Sequence, residues 1–266
     1  MIPHDYHMHS NFSCDCEAPM ETMCRSAIAR GIPEIGFSEH YDLSPGDPNR
    51  DWFRPQPWLD ELMRCRAQFG GQLTIRAGIE IGEPHLFAAE TERMLAQWPF
   101  DYVLGSLHWV GTESVFDPVY FRQRTSDEAY GQFFAELEEV TRCGEFDILS
   151  HFDVPLRTAY KVYGHYDPRR HEEAIRAVLQ QCIDRQIALD LNTAALRGAA
   201  QRLTPAPEIL GWYVEMGGQY VTLGADAHWP EHVGTHLDEA LRLAWAAGLR
   251  HVTQFEQRQP RLVPFA

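Results

Sequence analysis

Residues 73–81, LTIRAGIEI, form a short β-rich run with a carboxylate near its end, and a segment with helical spacing follows at 86–97. This unit repeats from one end of the chain to the other. The predicted strands are residues 2–7, 34–40, 73–81, 102–108, 147–151, 188–192 and 220–226, followed in turn by predicted helices at 19–30, 58–69, 86–97, 127–142, 169–185, 206–217 and 235–247. Seven βα units in succession indicate a parallel sheet and favour a closed or nearly closed barrel, with a doubly wound open sheet as the competing architecture.

The length of the chain fits one such barrel. It has 266 residues, and a single α/β barrel typically takes about 250. Because no Ser/Gly linker, charge block or low-complexity tract divides it, we expect one domain spanning residues 1–266. The tail from His251 holds a β-like piece, HVTQF, before an extended end punctuated by prolines. The pattern leaves open whether this tail supplies an eighth strand.

The composition is that of a globular protein, with 44% hydrophobic and 23% charged residues. No apolar run approaches the roughly 18 residues that span a bilayer, and the first residues lack the pattern of a secretion signal. We therefore expect a soluble, cytoplasmic protein. Six cysteines without a C-x-x-C pair are expected to be reduced thiols, and the C-D-C at 14–16 lacks the further thiolates of a cysteine metal site.

The formal charge of −15 argues against nucleic acid as the main partner, because binding to a phosphate backbone relies on clustered Lys and Arg. No membrane partner is expected either, because the chain lacks a long apolar run. A small anionic substrate remains compatible with an acidic chain if bound cations reverse the local field.

Six of the seven predicted strands end in potential metal ligands, and the active sites of βα barrels lie at those strand ends. The residues are His7 and His9, His40, Glu80, His108, His151, and Asp226 with His228, while the sixth strand ends in the uncharged Asn192. A lone histidine at a strand end is usually a packed or surface residue, but six coinciding ends indicate a site. In H-x-H and D-x-H both side chains project to one face, so both can reach one ion.

Carboxylates mixed with imidazoles suit zinc, iron or manganese better than calcium or magnesium. Glu80 stands alone at the end of a central predicted strand. We expect it to bridge two metal ions.

Read in order, the motifs HxH at 7–9, FSEH at 37–40, GIE at 78–80, GSLH at 105–108, SHFD at 150–153 and GADAH at 224–228 resemble the polymerase and histidinol phosphatase (PHP) superfamily over the whole chain. The DYHMHSNFSCD opening, the PRLVPF ending and the absence of a polymerase region are similar to its stand-alone histidinol-phosphate phosphatase branch. The resemblance implies a distorted (β/α)7 TIM-like barrel that holds three divalent metal ions.

The resemblance also implies a ligand set for each ion. The first set is His7, His9, Glu80 and Asp226, the second is Glu80, His108 and His151, and the third is Asp15, His40 and His228. Much of the superfamily has a histidine at the position of Asp15, so this sequence follows an aspartate variant.

The activity implied is hydrolysis of L-histidinol phosphate to L-histidinol and phosphate, a step of histidine biosynthesis, by a trinuclear metal-hydroxide mechanism. The residues expected to carry catalysis are Glu80, Asp226, His228, Arg157 and Arg197. The alternative is another PHP phosphoesterase acting on nucleotides or oligonucleotides, although the chain lacks a basic track for a second nucleotide. A non-catalytic metal-binding domain is disfavoured because all nine ligand positions are filled.

Candidates for substrate binding lie beyond the strand ends. Arg157 and Arg197 follow the fifth and sixth strands, and the planar fork of arginine suits phosphate, with a surface position as the alternative for each. Asn192 is a candidate to orient a ligand or a water. The long loop 41–57 is predicted to form a lid, and the candidates to meet an imidazole ring or an ammonium are Asp42, Trp52, Phe53 and Trp109.

Overall fold

The computed structural model describes residues 2–265. The strands are β1 (Glu34–Tyr41), β2 (Thr74–Gly82), β3 (Tyr102–Ser106), β4 (Trp109–Val110), β5 (Glu113–Ser114), β6 (Ile148–Leu149), β7 (Ala188–Asn192), β8 (Val221–Gly224), β9 (His251–Glu256) and β10 (Gln259–Pro264). The helices are α1 (Met20–Ala29), α2 (Pro55–Phe69), α3 (Ala88–Gln97), α4 (Pro118–Arg122), α5 (Ser126–Cys143), α6 (Leu156–Tyr163), α7 (Glu172–Asp184), α8 (Ala194–Arg197), α9 (Pro207–Glu215) and α10 (Leu237–Ala247).

A six-stranded parallel sheet forms the centre of the molecule, in the order β1-β2-β3-β6-β7-β8. Each strand is followed along the chain by one of the predicted helices. The predicted fold, a distorted TIM-like barrel, is confirmed, and the open doubly wound sheet is not formed. Three short helices, α4, α6 and α8, were not predicted, and each lies in a connection that follows the end of a sheet strand.

The first predicted strand, residues 2–7, is not a regular strand. Two isolated bridges are made here, from Asp5 to Ile35 in β1 and from Met8, just after the segment, to Ala227 beyond the end of β8. The main-chain nitrogen of Asp5 donates to Glu34 O at 3.1 Å, and that of Tyr6 donates to Leu223 O at 2.8 Å. The segment therefore lies between β1 and β8 and joins the two edges of the sheet into a ring.

The part of the ring interior away from the predicted ligands is filled by aromatic side chains. Tyr102 is fully buried, stacks on Tyr6 with ring centroids 4.8 Å apart, and donates its hydroxyl to Tyr6 O at 2.6 Å. A Cβ atom on Gly78 of the neighbouring strand would lie 2.3 Å from the Tyr102 ring, so only glycine leaves room for it. This filling closes the end of the barrel opposite the predicted ligands.

The helices cover the sheet through apolar faces, as their spacing predicted. α5 begins at an N-cap, Thr125, whose side chain forms a capping box with Glu128. α10 ends at Gly248, which has a φ of 111°, a left-handed conformation that favours glycine. No helix in residues 2–265 combines the length and apolarity that crossing a bilayer would need.

The tail does not add an eighth strand to the parallel sheet. β9 and β10 pair with each other as an antiparallel hairpin. Arg258, in the turn between them, forms an ion pair with Asp147 at 3.0 Å, and its main-chain nitrogen donates to Asp101 O at 2.8 Å. The hairpin is thereby fixed against the residues that precede β3 and β6, away from the predicted ligands.

Candidate metal centre

The nine predicted ligands lie together at the carboxyl ends of the strands. His7 and His9 come from the first segment, Asp15 from the loop after it, and the remaining six from or just beyond β1, β2, β3, β6 and β8. All of them except His7 and His9 line one cavity of about 360 Å³. His7 and His9 are fully buried beside it, at 1% and 0% exposure.

Glu80 stands at the centre of the group. Its Oε2 lies 3.2 Å from both His7 Nε2 and His40 Nδ1. Its Oε1 lies 3.1 Å from His151 Nε2 and 3.3 Å from His108 Nε2. Each oxygen of one fully buried carboxylate therefore faces two imidazoles, which is the arrangement that a carboxylate bridging two metal ions requires.

Asp226 is a second shared carboxylate. Its Oδ1 lies 3.5 Å from His9 Nε2 and from His228 Nδ1, and 3.8 Å from His7 Nε2. Its Oδ2 accepts a hydrogen bond from Arg157 Nη2 at 2.7 Å. One oxygen is thus directed at the imidazoles while the other is held by arginine.

Asp15 lies at the outer side of the group, and its side chain is about half exposed. Its Oδ2 is 3.1 Å from His228 Nε2 and 3.5 Å from His40 Nε2. The structure therefore brings together the three residues expected to hold the third ion.

Smaller groups of three, with ligand atoms within 4.8 Å of one another, overlap without matching the expected sets in full. They are His7, His9 and Glu80; His7, His151 and Asp226; His40, Glu80 and His108; and His9, His40 and His228. The first belongs to the first expected set. His40 differs most from expectation, because it faces Glu80 through Nδ1 as well as Asp15 through Nε2.

Several imidazole nitrogens in this group have no hydrogen-bond partner among the described residues. They are His9 Nε2, His40 Nδ1, His108 Nε2 and His228 Nε2. Leaving a buried polar atom unsatisfied costs about 1–3 kcal/mol, and four such atoms directed at carboxylate oxygens would together be expensive. Divalent ions of the zinc, iron or manganese type satisfy nitrogen and carboxylate lone pairs together, so the residues fit a metal centre.

The pKa values of this group shift in both directions. Against the effect of burial, neighbouring carboxylates raise the pKa values of His7, His40, His108 and His228, so these four histidines would release their protons when an ion binds. Burial lowers the pKa of His9 to about 3, and the nearby His228 and His40 act in the same direction. Burial also lowers the pKa of His151 to about 4. Although burial opposes it, the charges of His7 and His40 hold the pKa of Glu80 well below its ordinary value. Neutral imidazoles and an ionised carboxylate are the forms that bind metal ions.

Two carboxylates outside the predicted ligand set accept hydrogen bonds from the Nδ1 atoms of His7 and His108 and so orient these rings. Asp190 Oδ2 accepts from His7 Nδ1 at 2.8 Å, and Asp42 Oδ1 accepts from His108 Nδ1 at 2.9 Å. Carboxylates in this position fix the ring orientation and the tautomer of a metal-binding histidine. Asp42 was predicted as a substrate contact; it does line the cavity, but one of its oxygens is committed to His108.

Asp190 was missed in the sequence. It lies two residues before Asn192, so the period of two places both side chains on the same face of β7. That spacing was the signal that could have identified it. A Cβ on Gly224 of the adjacent strand would lie 2.3 Å from Asp190 Oδ1, so glycine there makes room for the carboxylate.

The two predicted phosphate-binding arginines occupy different positions. Arg157 lines the cavity and also donates to Asn192 Oδ1 at 2.8 Å. Arg197 does not line it. It donates to the main-chain oxygen of Asp226 at 3.0 Å and to Thr235 Oγ1 at 2.9 Å. The guanidinium of Arg197 therefore lies behind Asp226, where it holds the loop that carries this ligand.

Asn192 is fully buried and contacts protein groups. Its Nδ2 donates to Asp190 Oδ2 at 2.9 Å, and its Oδ1 accepts from Arg157. It thus connects the residue that orients His7 with the arginine at the cavity wall. This position suits the orienting role that was one of its predicted uses.

The three aromatic residues predicted to contact the substrate also occupy different positions. Trp109 lines the cavity, whereas Trp52 is 50% exposed and lines a separate pocket, and Phe53 is buried against Trp58. The predicted lid loop contributes to the cavity wall through Asp42, Asp47 and Asn49. Sequence reasoning missed Asp47, Asn49, Ser114 and Phe116 as cavity residues.

Comparisons with known proteins agree with this geometry. The family model described as PHP domain matches residues 5–194. The histidinol-phosphatase of Lactococcus lactis subsp. lactis is 28% identical over 94% of this chain and 93% of its own length. The histidinol-phosphatase of Bacillus subtilis is 25% identical over 88% of this chain and 96% of its own length.

A solved structure is similar over nearly the full chain. It is the crystal structure of histidinol phosphate phosphatase from Lactococcus lactis subsp. lactis complexed with zinc, L-histidinol and phosphate. Its TM-score is 0.88 with 26% sequence identity, and the match covers 97% of this chain and 98% of that one.

Proposed function

The chain belongs to the PHP domain family, and we propose that within it this protein is a metal-dependent histidinol-phosphatase, which hydrolyses L-histidinol phosphate to L-histidinol and phosphate. The observation that carries the proposal is Glu80, a buried carboxylate that faces four imidazoles at the base of an open cavity. Support for the substrate comes from the similar relative whose structure holds zinc, L-histidinol and phosphate.

Nine side chains would hold three divalent ions: His7, His9, Asp15, His40, Glu80, His108, His151, Asp226 and His228. Ions bound there lower the pKa of water and neutralise the charge of a phosphate group. Glu80 would connect two of the sites, because its two oxygens face different pairs of imidazoles. Asp226 and Asp15 supply the other carboxylates.

Arg157 would bind a phosphate oxygen at the cavity wall. Its Nη2 is held by Asp226 and Asn192, while its Nε has no hydrogen-bond partner among residues 2–265. Its guanidinium places a positively charged hydrogen-bond donor beside the ion cluster. Arg197 would act indirectly, by holding the main chain of Asp226.

The outer part of the cavity suits the organic part of this substrate. Trp109 and Phe116 provide aromatic surface, and Asp47 and Asn49 of the long loop provide polar groups on the same wall. Histidinol phosphate carries an imidazole and an ammonium, which aromatic faces and carboxylates bind well. The formal charge of −15 favours a small phosphomonoester over an oligonucleotide, because binding to a phosphate backbone relies on clustered Lys and Arg.

A substrate panel tests the proposal. Purified protein supplied with zinc, iron or manganese would be assayed for phosphate release from L-histidinol phosphate, nucleoside monophosphates and short oligonucleotides. We expect kcat/KM for L-histidinol phosphate to exceed that for every nucleotide, and Glu80→Gln to abolish most of it. Preference for a nucleotide or an oligonucleotide would refute the proposed substrate while leaving the metal centre intact.

A further inference from the structure

A buried serine connects three elements of the site. Ser13 is 2% exposed, and its Oγ lies 2.7 Å from Glu39 Oε2 and 3.1 Å from His9 Nδ1. The main-chain nitrogen of His40 donates to the same oxygen at 3.1 Å. Neither Ser13 nor Glu39 lines the cavity or belongs to the nine predicted ligands.

The hydrogen bonds of this hydroxyl can be assigned a direction. A serine hydroxyl has one proton to donate and two lone pairs that accept. The His40 main-chain nitrogen can only donate, so it takes one lone pair. Three donors converge on the two oxygens of Glu39, namely the main-chain nitrogen and hydroxyl of Ser10 and the hydroxyl of Ser13, so the Ser13 proton belongs to Glu39.

One lone pair of Ser13 then remains, and it faces His9. The ring must therefore carry its proton on Nδ1 and donate it to Ser13. His9 Nε2 is left as a bare lone pair, 3.6 Å from Glu80 Oε2 and 3.5 Å from Asp226 Oδ1, without a hydrogen-bond partner among the described residues. This is the tautomer that can bind a metal ion through Nε2.

We propose that Ser13, held by Glu39, is a positioning residue that fixes the Nδ1–H tautomer of His9 and presents His9 Nε2 to a metal ion. Unlike His7 and His108, which donate directly to carboxylates, His9 donates to a hydroxyl whose orientation a carboxylate sets. The same hydroxyl fixes the main chain at His40, so one group aligns ligands from two elements. The proposal rests on the metal centre described above.

The chain offers a matched control in Ser10. Ser10 is fully buried and donates its hydroxyl to the other oxygen of Glu39, but within residues 2–265 this hydroxyl makes no hydrogen bond to a histidine. Ser10→Ala and Ser13→Ala therefore each remove one hydroxyl from the same carboxylate. Only Ser13→Ala removes the acceptor of His9.

The experiment measures metal affinity by competition with a chelator of known affinity, using zinc at pH 8 and metal analysis of the protein. We expect Ser13→Ala to weaken the affinity for one ion by about 10- to 100-fold, the usual effect of losing a partner of a metal-binding histidine. Ser10→Ala should stay close to wild type, and Ser13→Thr, which keeps the hydroxyl, should recover most of the loss. Circular dichroism confirms that each variant is folded.

The tautomer itself is checked by long-range 1H–15N spectra of the imidazole rings in the zinc-loaded wild type, with the His9 signals assigned by their loss in His9→Asn. A proton on Nδ1 supports the proposal, and a proton on Nε2 overturns it. Equal weakening in Ser10→Ala and Ser13→Ala, or wild-type affinity in Ser13→Ala, would also overturn it. If the wild type itself binds no zinc, the metal centre fails, which is a different result.

Discussion

Replacing Arg157 by alanine separates substrate recognition from the assembly of the metal centre. Arg157 lines the cavity, and its contacts to Asp226 Oδ2 at 2.7 Å and Asn192 Oδ1 at 2.8 Å hold its guanidinium in place. The oxygen of Asp226 that Arg157 contacts is not the one that faces the imidazoles, which is Oδ1. Arg157→Ala should therefore remove a phosphate contact while the ligand oxygen of Asp226 keeps its position.

The magnitude follows from the kind of bond lost. A hydrogen bond to a charged group contributes about 1.5–3 kcal/mol, and each 1.4 kcal/mol is a factor of about ten. We expect kcat/KM for L-histidinol phosphate to fall roughly ten- to a hundredfold, with the metal count unchanged. Arg157→Lys should recover only part of the loss, because an ammonium cannot reproduce the planar fork.

The assay combines steady-state kinetics, inhibition by inorganic phosphate and metal analysis on the same preparations. Phosphate inhibition should weaken in parallel with kcat/KM if the contact is to phosphate. Arg197→Ala is the matched control, since Arg197 holds the main chain of Asp226 and does not line the cavity; it should lower metal content more than phosphate affinity. Wild-type kinetics and inhibition in Arg157→Ala would refute this reasoning and leave phosphate binding to the metals alone.

Substitutions at three further residues test the metal centre. Glu80→Gln should lower bound metal by at least one ion and remove most activity, because a neutral amide cannot bridge two cations; unchanged stoichiometry with good activity would contradict the bridge. Asp15→Ala should lose one ion selectively, and Asp15→His should retain it because an imidazole restores a ligand; metal analysis of both variants decides this, and full occupancy in Asp15→Ala argues against the placement. Asp190→Asn should weaken metal affinity by about 10- to 100-fold, measured by chelator competition, because His7 loses the charged acceptor of its Nδ1–H; wild-type affinity would show that Asp190 does not orient His7.

The ligands could be predicted from the sequence because their positions depend on local regularities. Strand ends carry the site of a βα barrel, and a period of two places His7 and His9 on one face. Eight of the nine candidate ligands lie at or just beyond the predicted strand ends, whereas Asp15 was expected only from the resemblance to the PHP superfamily. The first predicted strand was the exception: it lies between two edges that the chain forms much later, β1 and β8, and it forms single bridges instead of a regular ladder.

The orienting residues were harder to predict because they depend on contacts distant in sequence. Asp190 meets His7 across 183 positions, and Asp42 meets His108 across 66. Asp42 was predicted, but as a substrate contact, and Asp190 was not predicted. The residues at strand ends can be identified from the sequence as candidate ligands. The residues that hydrogen-bond to those ligands cannot, because their positions depend on the packing of distant segments.

The placement of Arg197 shows a second limit. Arg197 and Arg157 lie at similar distances beyond the predicted strand ends at 192 and 151, so both were predicted to bind phosphate. The short helix α8 instead directs Arg197 to Asp226 O and Thr235. Phe116 was not predicted as a cavity residue for a similar reason. The small β4–β5 hairpin returns the chain to the cavity, and the residue types in this segment did not indicate such a turn.

The claim that the site is a metal-dependent phosphatase centre is tested most directly by titrating metal into chelator-stripped protein while following phosphate release from L-histidinol phosphate. The account predicts that the stripped protein is inactive, that activity appears as ions bind, and that it reaches its maximum at three divalent ions per chain. Full hydrolysis by protein holding less than one ion per chain would contradict it.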